Sequence, residues 1–302
     1  VEPEGVADLT ALQMADGLTR FLTSVRFASG PGRTAGITMS LRAAPALDST
    51  ALVAQVSDAA IIQGADSQDN NKDGISGRVH LLQLPGERPK IGRFNWKATA
   101  ARVDDQVANA LWFDMGLTSP AHPAPQGECT SRQHDCLEAS GIRSPDLAVD
   151  FDGTKIAALA DHVRSLAVPP KIPEQPQSFV DAMCSSCHTP YMETADGGSV
   201  ALFSNLLLHD MGDGLTSYGG EGSASPTEWR TAPLVGFRGQ LPDHRFLHDG
   251  RAANIDEAIR WHGGEARTSR DAYIALSTSE KLKLTSFVLA LMSSMPVPPK
   301  GD

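Results

Sequence analysis

Two cysteines and a histidine are the residues of this chain best suited to do chemistry. Cys184 and Cys187 are separated by two serines, and His188 follows directly. In this spacing each thiol can add to a haem vinyl group, and the histidine can take an axial position on the iron. A zinc site or a redox dithiol fits less well, because no second C-x-x-C lies at zinc-finger distance and no βαβ pattern surrounds the motif. The motif therefore predicts one covalent haem c with His188 as the proximal ligand.

A six-coordinate haem needs a second axial ligand, which is usually methionine or histidine. Spacing alone does not choose among the candidates after the motif, which are His209, Met211, His244, His248, His262, Met292 and Met295.

The composition is that of a globular chain without affinity for nucleic acid. The 302 residues are 41% hydrophobic and 21% charged, with a formal net charge of −10. The acidic excess argues against nucleic acid or anionic membranes as partners and fits docking to basic proteins. The longest apolar run, around residues 287–292, is much shorter than the ~20 residues that span a bilayer. Residues 1–5 resemble the start of a mature exported chain.

The other two cysteines, Cys129 and Cys136, lie seven positions apart in a polar stretch. A disulfide between them would close a short loop, and two free surface thiols are the alternative. Disulfides and covalent haem both occur typically outside the cytoplasm. We therefore expect a bacterial protein that is exported to the periplasm or the cell exterior.

One Asn/Asp-rich stretch resembles the first half of a calcium-binding loop. Oxygen-bearing side chains stand at Asp69, Asn71 and Asp73, a glycine follows, and the carbonyl of Ile75 would be the next ligand. His80 occupies the position where an EF-hand has its bidentate glutamate, so a bound Ca²⁺ would need another ligand or extra water. A polar turn without metal explains the same residues, and both interpretations stay open.

The fold class predicted from apolar spacing is mainly α. Helical spacing recurs over residues 7–26, 48–63, 98–113, 153–166 and 279–293. The last helix begins with a capping-box pattern, Ser277 and Glu280. A proline-rich link at 168–176 predicts two domains, residues 1–167 and residues 168–302. A short helix before the haem motif should cross the last helix, which would contribute Leu282, Phe287, Val288 and Leu291.

Six longer strings resemble those of the bacterial di-haem oxidoreductases, a family also described as thiol oxidoreductases or peroxidases. They occur in the same order over residues ~40 to 300 and read DGISGR at 73–78, GRFNWKA at 92–98, LLHDMG at 207–212, EWRTAPL at 228–234, FLHDGRA at 246–252 and WHGGEA at 261–266. That family is similar to the di-haem cytochrome c peroxidases and to the di-haem enzyme that matures methylamine dehydrogenase.

The resemblance implies a choice of ligands. In the relatives the distal ligand lies four residues after an alanine, in the helix that follows a His-Asp-Gly string. Here the alanine is Ala258, so the resemblance implies His262 as the sixth ligand, with Met211 as the alternative. Arg251, in the same string, is the arginine favoured to neutralise a haem propionate, ahead of Arg78, Arg93, Arg230 and Arg245.

The resemblance also implies a fold: a cytochrome c-like haem domain over residues 168–302. It would follow an N-terminal α and irregular domain, residues 1–167, that resembles a haem-less cytochrome c half and carries the calcium-like loop and the disulfide.

Family members carry two haems, whereas this sequence contains one attachment motif. Iron held by two histidines has no vacant position for a substrate, but it can pass electrons. We therefore expect a c-type cytochrome that transfers electrons through one low-spin haem c, in a larger redox system with a redox partner protein such as a haem-containing subunit. The alternative is an enzyme, a peroxidase-like or thiol-oxidising oxidoreductase whose reactive centre a partner or a missing segment supplies. No catalytic residue is assigned from the sequence.

Overall fold

The computed structural model describes residues 5–13, 19–27, 40, 42–83, 86–125, 148–166, 170–217, 219–236 and 245–293. The chain forms two compact units. The first comprises Val1–Leu41 and Asp104–Asp161, and the second comprises Arg42–Val103 and His162–Asp302. This division differs from the expected boundary after residue 167, because the segment 42–103 packs with the part of the chain that contains the haem motif.

Over the described residues the fold is mainly α, with little strand. The helices are α1 Leu47–Val53, α2 Asp58–Gln63, α3 Val103–Met115, α4 Gly153–Ser165, α5 Gln177–Asp181, α6 Ile255–Arg260, α7 Arg267–Ala275 and α8 Thr278–Met292. The strands are β1 Gly5–Gln13, β2 Thr19–Phe27, β3 Leu81–Leu82, β4 Lys90–Ile91, β5 Tyr191–Glu193, β6 Ser199–Ala201, β7 Leu208–Asp210 and β8 Glu228–Arg230. Each strand pairs antiparallel with its sequence neighbour, as β1–β2, β3–β4, β5–β6 and β7–β8.

The first unit begins with a β-hairpin where the sequence predicted a helix. β1 and β2 pair antiparallel along their whole length. The prediction of a helix over residues 7–26 is wrong, because it counted apolar residues and overlooked two strand signals. Between the two strands the sequence contains Asp16-Gly17, a dipeptide common in hairpin turns. Along Thr19–Phe27 aromatic and β-branched residues alternate with period two.

Two helices supply the small core of the first unit. Ala108 and Leu111 of α3 are buried against Ile156 of α4. The backbone amide and hydroxyl of Thr118 donate to the Asp150 carboxylate at 2.9 and 2.6 Å. Helix α4 lies where the sequence predicted it, since its apolar residues recur at helical spacing.

An aromatic core positions the haem motif in the second unit. Helix α5, which leads into the motif, packs against α8. Phe179 of α5, Phe203 and Phe287 of α8 meet edge to face, with ring centroids 5.4 to 6.0 Å apart. The two helices are therefore in contact as expected, but Leu282 is 66% exposed and Leu284 is buried in its place.

The start of α8 confirms its predicted cap. Ser277 accepts from the Glu280 backbone amide, and the Glu280 carboxylate accepts from the Ser277 amide. Among the described helices, none has both the length and the apolar character needed to cross a membrane.

Candidate haem site

One cavity in the second unit collects the residues that the sequence singled out for haem. Cys184, Cys187 and His188 line it together with His262 and Met211. The cavity has about 1390 Å³ of empty space, its open mouth included, and its lining is mostly apolar. A haem has the same character, since its ring is apolar and only its carboxylates and iron are polar.

A short 3₁₀ turn over Cys184–Ser186 arranges the motif. The His188 amide donates to the Cys184 carbonyl at 2.9 Å, which closes the turn. Met183, directly before it, has a left-handed backbone with φ 57°. Because both thiols and the imidazole line the same cavity, one ligand could reach all three.

The His188 ring is oriented for axial ligation. Its Nδ1 donates to the Phe203 carbonyl at 2.9 Å, which leaves Nε2 to coordinate iron. Burial, helped by the neighbouring imidazoles of His262 and His209, lowers the pKa of His188 to about 4. The imidazole is therefore neutral at physiological pH, and the neutral form is the one that binds metal.

His262 is held in the same way. Its Nδ1 donates to the Ala258 carbonyl at 2.9 Å, and burial lowers its pKa. Its Nε2 is thus also left to ligate. The two rings lie near enough for His262 to lower the pKa of His188. Met211 lines the cavity too, so both candidates for the sixth position are present.

A buried ion pair stands beside the motif. His209 Nδ1 donates to Glu265 at 2.8 Å and lies 3.9 Å from Cys187 Sγ. Burial alone would lower the pKa of His209, but the hydrogen bonds to Cys187 and Glu265 outweigh it and raise the pKa to about 9. Glu265 also accepts from the amide and hydroxyl of Ser76 and from the amide of Asp210, and its pKa is lowered although burial opposes this.

Glycines let these segments approach each other. A Cβ on Gly77 would lie 2.4 Å from the His209 ring. A Cβ on Gly264 would lie 2.1 Å from the Asp210 carbonyl oxygen. The strings that contain His209 and His262 are therefore in backbone contact, and side chains larger than hydrogen would separate them.

A second part of the cavity is aromatic and cationic. His248 stacks on Trp229 with ring centroids 3.6 Å apart, and both line the cavity. The Lys97 ammonium lies 3.9 Å from the Trp229 ring centroid and donates to three backbone carbonyls, those of Ser225, Pro226 and Glu228. Arg230, also lining the cavity, is buried.

Arg251 contacts residues outside the cavity lining. Its guanidinium binds Asp249 and lies over the Trp261 ring, 4.8 Å from the centroid. It is not among the described residues that line the cavity, whereas Arg230 and Arg270 are. A propionate contact through Arg251 stays a prediction.

The calcium-like loop turns its oxygens onto its own backbone. Asp69 accepts from the amides of Asp73 and Gly74, and Asp73 accepts from the amide of Ile75 at 2.8 Å. Asn71 accepts from the Asp73 amide at 3.1 Å. Over the part of the chain that the structure describes, no group of three or more His, Cys, Asp or Glu side chains is placed to hold a metal ion. Calcium binding stays a prediction.

His80 and the predicted disulfide complete the placement of the sequence-derived residues. His80 is buried away from the loop, where Nδ1 donates to the Lys97 carbonyl and Nε2 accepts from the Ser223 amide. Cys129 and Cys136 lie outside the described residues.

Sequence reasoning missed the hydrogen bonds of Glu265 and the lack of a described carboxylate beside Arg230. Both residues lie in the quoted strings, at 261–266 and 228–234, so the signal was present but did not say what each side chain would contact.

The comparisons with known proteins give one match. A family model described as "Di-haem oxidoreductase, putative peroxidase" matches residues 33–291. No curated protein and no solved structure matches the chain.

Proposed function

Since the chain belongs to the di-haem oxidoreductase family, we propose that it is an exported redox protein that passes electrons through one low-spin haem c. Cys184 and Cys187 would attach the haem, and His188 and His262 would hold the iron from its two sides. Bound haem would supply one-electron redox chemistry at its iron.

One observation carries this proposal. His188 and His262 line one cavity, and each donates its Nδ1 proton to a backbone carbonyl at 2.9 Å. Such a bond fixes the ring and makes Nε2 the better electron donor to a metal. Two anchored, neutral imidazoles favour a closed six-coordinate site over one that is open to substrate.

The proposal includes the surroundings of the haem. Two histidine ligands keep the reduction potential below that of a His/Met site, because methionine raises it. Electrons would come from and go to a redox partner protein, and the acidic net charge of −10 favours a basic docking surface on that partner. Export to the periplasm or cell exterior is part of the same proposal, since haem c is attached there.

The spin state of purified holoprotein tests the ligands. In His262→Ala the low-spin ferric absorption and electron paramagnetic resonance spectra should give way to high-spin ones, because a coordination position opens. The matched control is Met211→Leu, which should leave the spectra low spin. If the spectra of His262→Ala stay unchanged while those of Met211→Leu change, the sixth ligand is Met211.

The haem content tests the number of centres. Pyridine haemochrome absorbance against protein mass should give one haem per chain. A ratio of two contradicts the single-haem proposal and restores the family's usual number.

The family match favours a second function, a peroxidase-like or thiol-oxidising enzyme whose reactive centre comes from a partner or from a segment outside this sequence. Steady turnover of hydrogen peroxide by the purified chain, lost in His188→Ala, would support it. Under the first proposal the chain alone shows no such turnover.

A further inference from the structure

Arg230 is a buried cation with which no described carboxylate pairs. Two described arginines are buried, Arg93 at 7% and Arg230 at 6% exposure. Arg93 pairs with Asp58. Arg230 instead donates to the carbonyls of Asn95 at 2.8 Å and Thr231 at 3.0 Å, and no described carboxylate pairs with it. Burial alone lowers the pKa of Arg230 to about 10, so the guanidinium is still charged at neutral pH.

A buried charge without a counter-ion is costly to the folded state. Proteins offset that cost with a counter-ion or with a ligand of opposite charge. Because Arg230 lines the cavity, a ligand there can supply the missing anion.

His248 is a second unpaired polar group in the same cavity. It is 5% exposed, and no described residue hydrogen-bonds to its ring nitrogens. The nearest carboxylate oxygen, on Asp249, is 3.9 Å from its Nε2. Burial and the cations Arg251, Arg42 and Lys97 lower the pKa of His248 to about 3, despite the opposing effect of Asp249. The neutral ring keeps one N–H that can donate to a ligand.

The other charged groups near the cavity are already paired. Arg270 lines the cavity and binds Asp271, and Arg42 binds Glu221. The Lys97 ammonium is used by three carbonyls. Of these described groups, Arg230 lacks a carboxylate partner and the His248 ring lacks a hydrogen-bond partner.

We propose that Arg230 and His248, which both line the cavity, donate hydrogen bonds to the haem propionates. This assignment rests on the proposed function, because the haem that Cys184 and Cys187 would tether is the ligand that brings carboxylates into this cavity. The planar guanidinium suits a carboxylate, to which it can present two parallel N–H groups. Under this proposal Arg230 takes the role that the sequence gave to Arg251, which Asp249 already neutralises.

Resonance Raman spectroscopy of the holoprotein tests the assignment, since the propionate bending band reports the hydrogen bonds that propionates receive. Arg230→Gln and His248→Phe should each shift this band. His248→Phe retains an aromatic ring to stack on Trp229 and removes only the donor. The matched control is Arg251→Lys, which should leave the band in place.

The midpoint reduction potential of the haem gives a second measurement. Arg230→Gln should lower the midpoint potential, because loss of a nearby cation favours the ferric iron, and Arg230→Lys should recover most of the wild-type value. The low-spin spectrum should stay unchanged in these variants.

The proposal fails if the band stays in place in Arg230→Gln and His248→Phe, or if Arg251→Lys shifts it and Arg230→Gln does not. If Arg230→Gln does not fold, Arg230→Lys and His248→Phe decide, and an unshifted band in both overturns the assignment. A wild-type protein that is high spin would contradict the proposed function but leave this readout usable.

Discussion

Glu265 should be one of the most costly residues to replace in the second unit. Its carboxylate accepts from four donors: the amide of Ser76 at 2.9 Å, the hydroxyl of Ser76 at 3.0 Å, the amide of Asp210 at 3.0 Å and Nδ1 of His209 at 2.8 Å. The side chain is 12% exposed, so water can replace few of these bonds. Truncation to alanine would therefore leave a buried imidazole and several buried donors unpaired.

The expected cost of Glu265→Ala is about 3–5 kcal/mol, the usual range when one partner of a buried ion pair is removed. Against the opposing effect of burial, hydrogen bonds to both Cys187 and Glu265 raise the pKa of His209 to about 9, so only part of that shift belongs to Glu265. Glu265→Gln preserves the shape and one acceptor, so we expect about 1–3 kcal/mol.

The pH dependence has a definite sign. Because the pKa of His209 is raised on folding, its protonation stabilises the folded state. This contribution to the free energy of unfolding is complete below pH 6.5 and is lost as the pH rises toward about 9. The lowered pKa of Glu265 means that its contribution is complete above the usual 4.5 and is lost as the pH falls below that value. A thioether at Cys187 would remove the part of the His209 pKa rise that comes from that thiol. The pH at which the stabilisation is lost would then move down from about 9 toward 6.5.

Urea unfolding followed at the haem Soret band measures the effect in the part of the chain that carries His188. The matched control is Glu193→Gln, the same change at an exposed carboxylate, which should leave the midpoint within error. A loss below about 1 kcal/mol in the free energy of unfolding of Glu265→Ala would refute the reasoning. It would also be refuted if the free energies of unfolding of wild type and variant changed with pH in the same way.

Two further substitutions test the packing around the site. Phe287→Ala removes a ring that contacts Phe179 and Phe203, so we expect the free energy of unfolding to fall by about 3–5 kcal/mol in the same assay. A loss near zero would show that the aromatic core does not hold α8 in place. Gly264→Ala places a methyl group against the Asp210 carbonyl at a residue with φ +50°. We therefore expect the free energy of unfolding to fall by about 1–3 kcal/mol and the low-spin spectrum to change. Wild-type values for both would show that the close approach of these two segments is unnecessary.

Local signals in the sequence predicted the local features well. The thiols and the imidazole of the motif lie within five residues, and helical geometry alone brings them to one cavity. The capping box of α8 is equally local, since Ser277 and Glu280 are three residues apart. The hairpin of β1 and β2 was missed because helical and strand spacing were not weighed against each other, although Asp16-Gly17 favoured the strand interpretation.

The charge partners could not be predicted, because they depend on contacts between distant segments. Glu265 meets Ser76 across 189 positions and His209 across 56. A string that contains an arginine does not reveal whether a carboxylate will reach it. Arg251 is the exception, since its partner Asp249 lies two residues before it and could have been considered.

The same long-range contacts account for the composition of the second unit, which contains the motif at 184–188. Arg78 binds Glu228, Lys97 donates to carbonyls of the segment 225–228, and Ser76 donates to Glu265. Each contact joins the segment 42–103 to the part after residue 162, and each contains a charged group that is at least partly buried. A boundary at residue 167 would pass between the two segments that these contacts join. The structural unit that surrounds the haem cavity is therefore built from both segments.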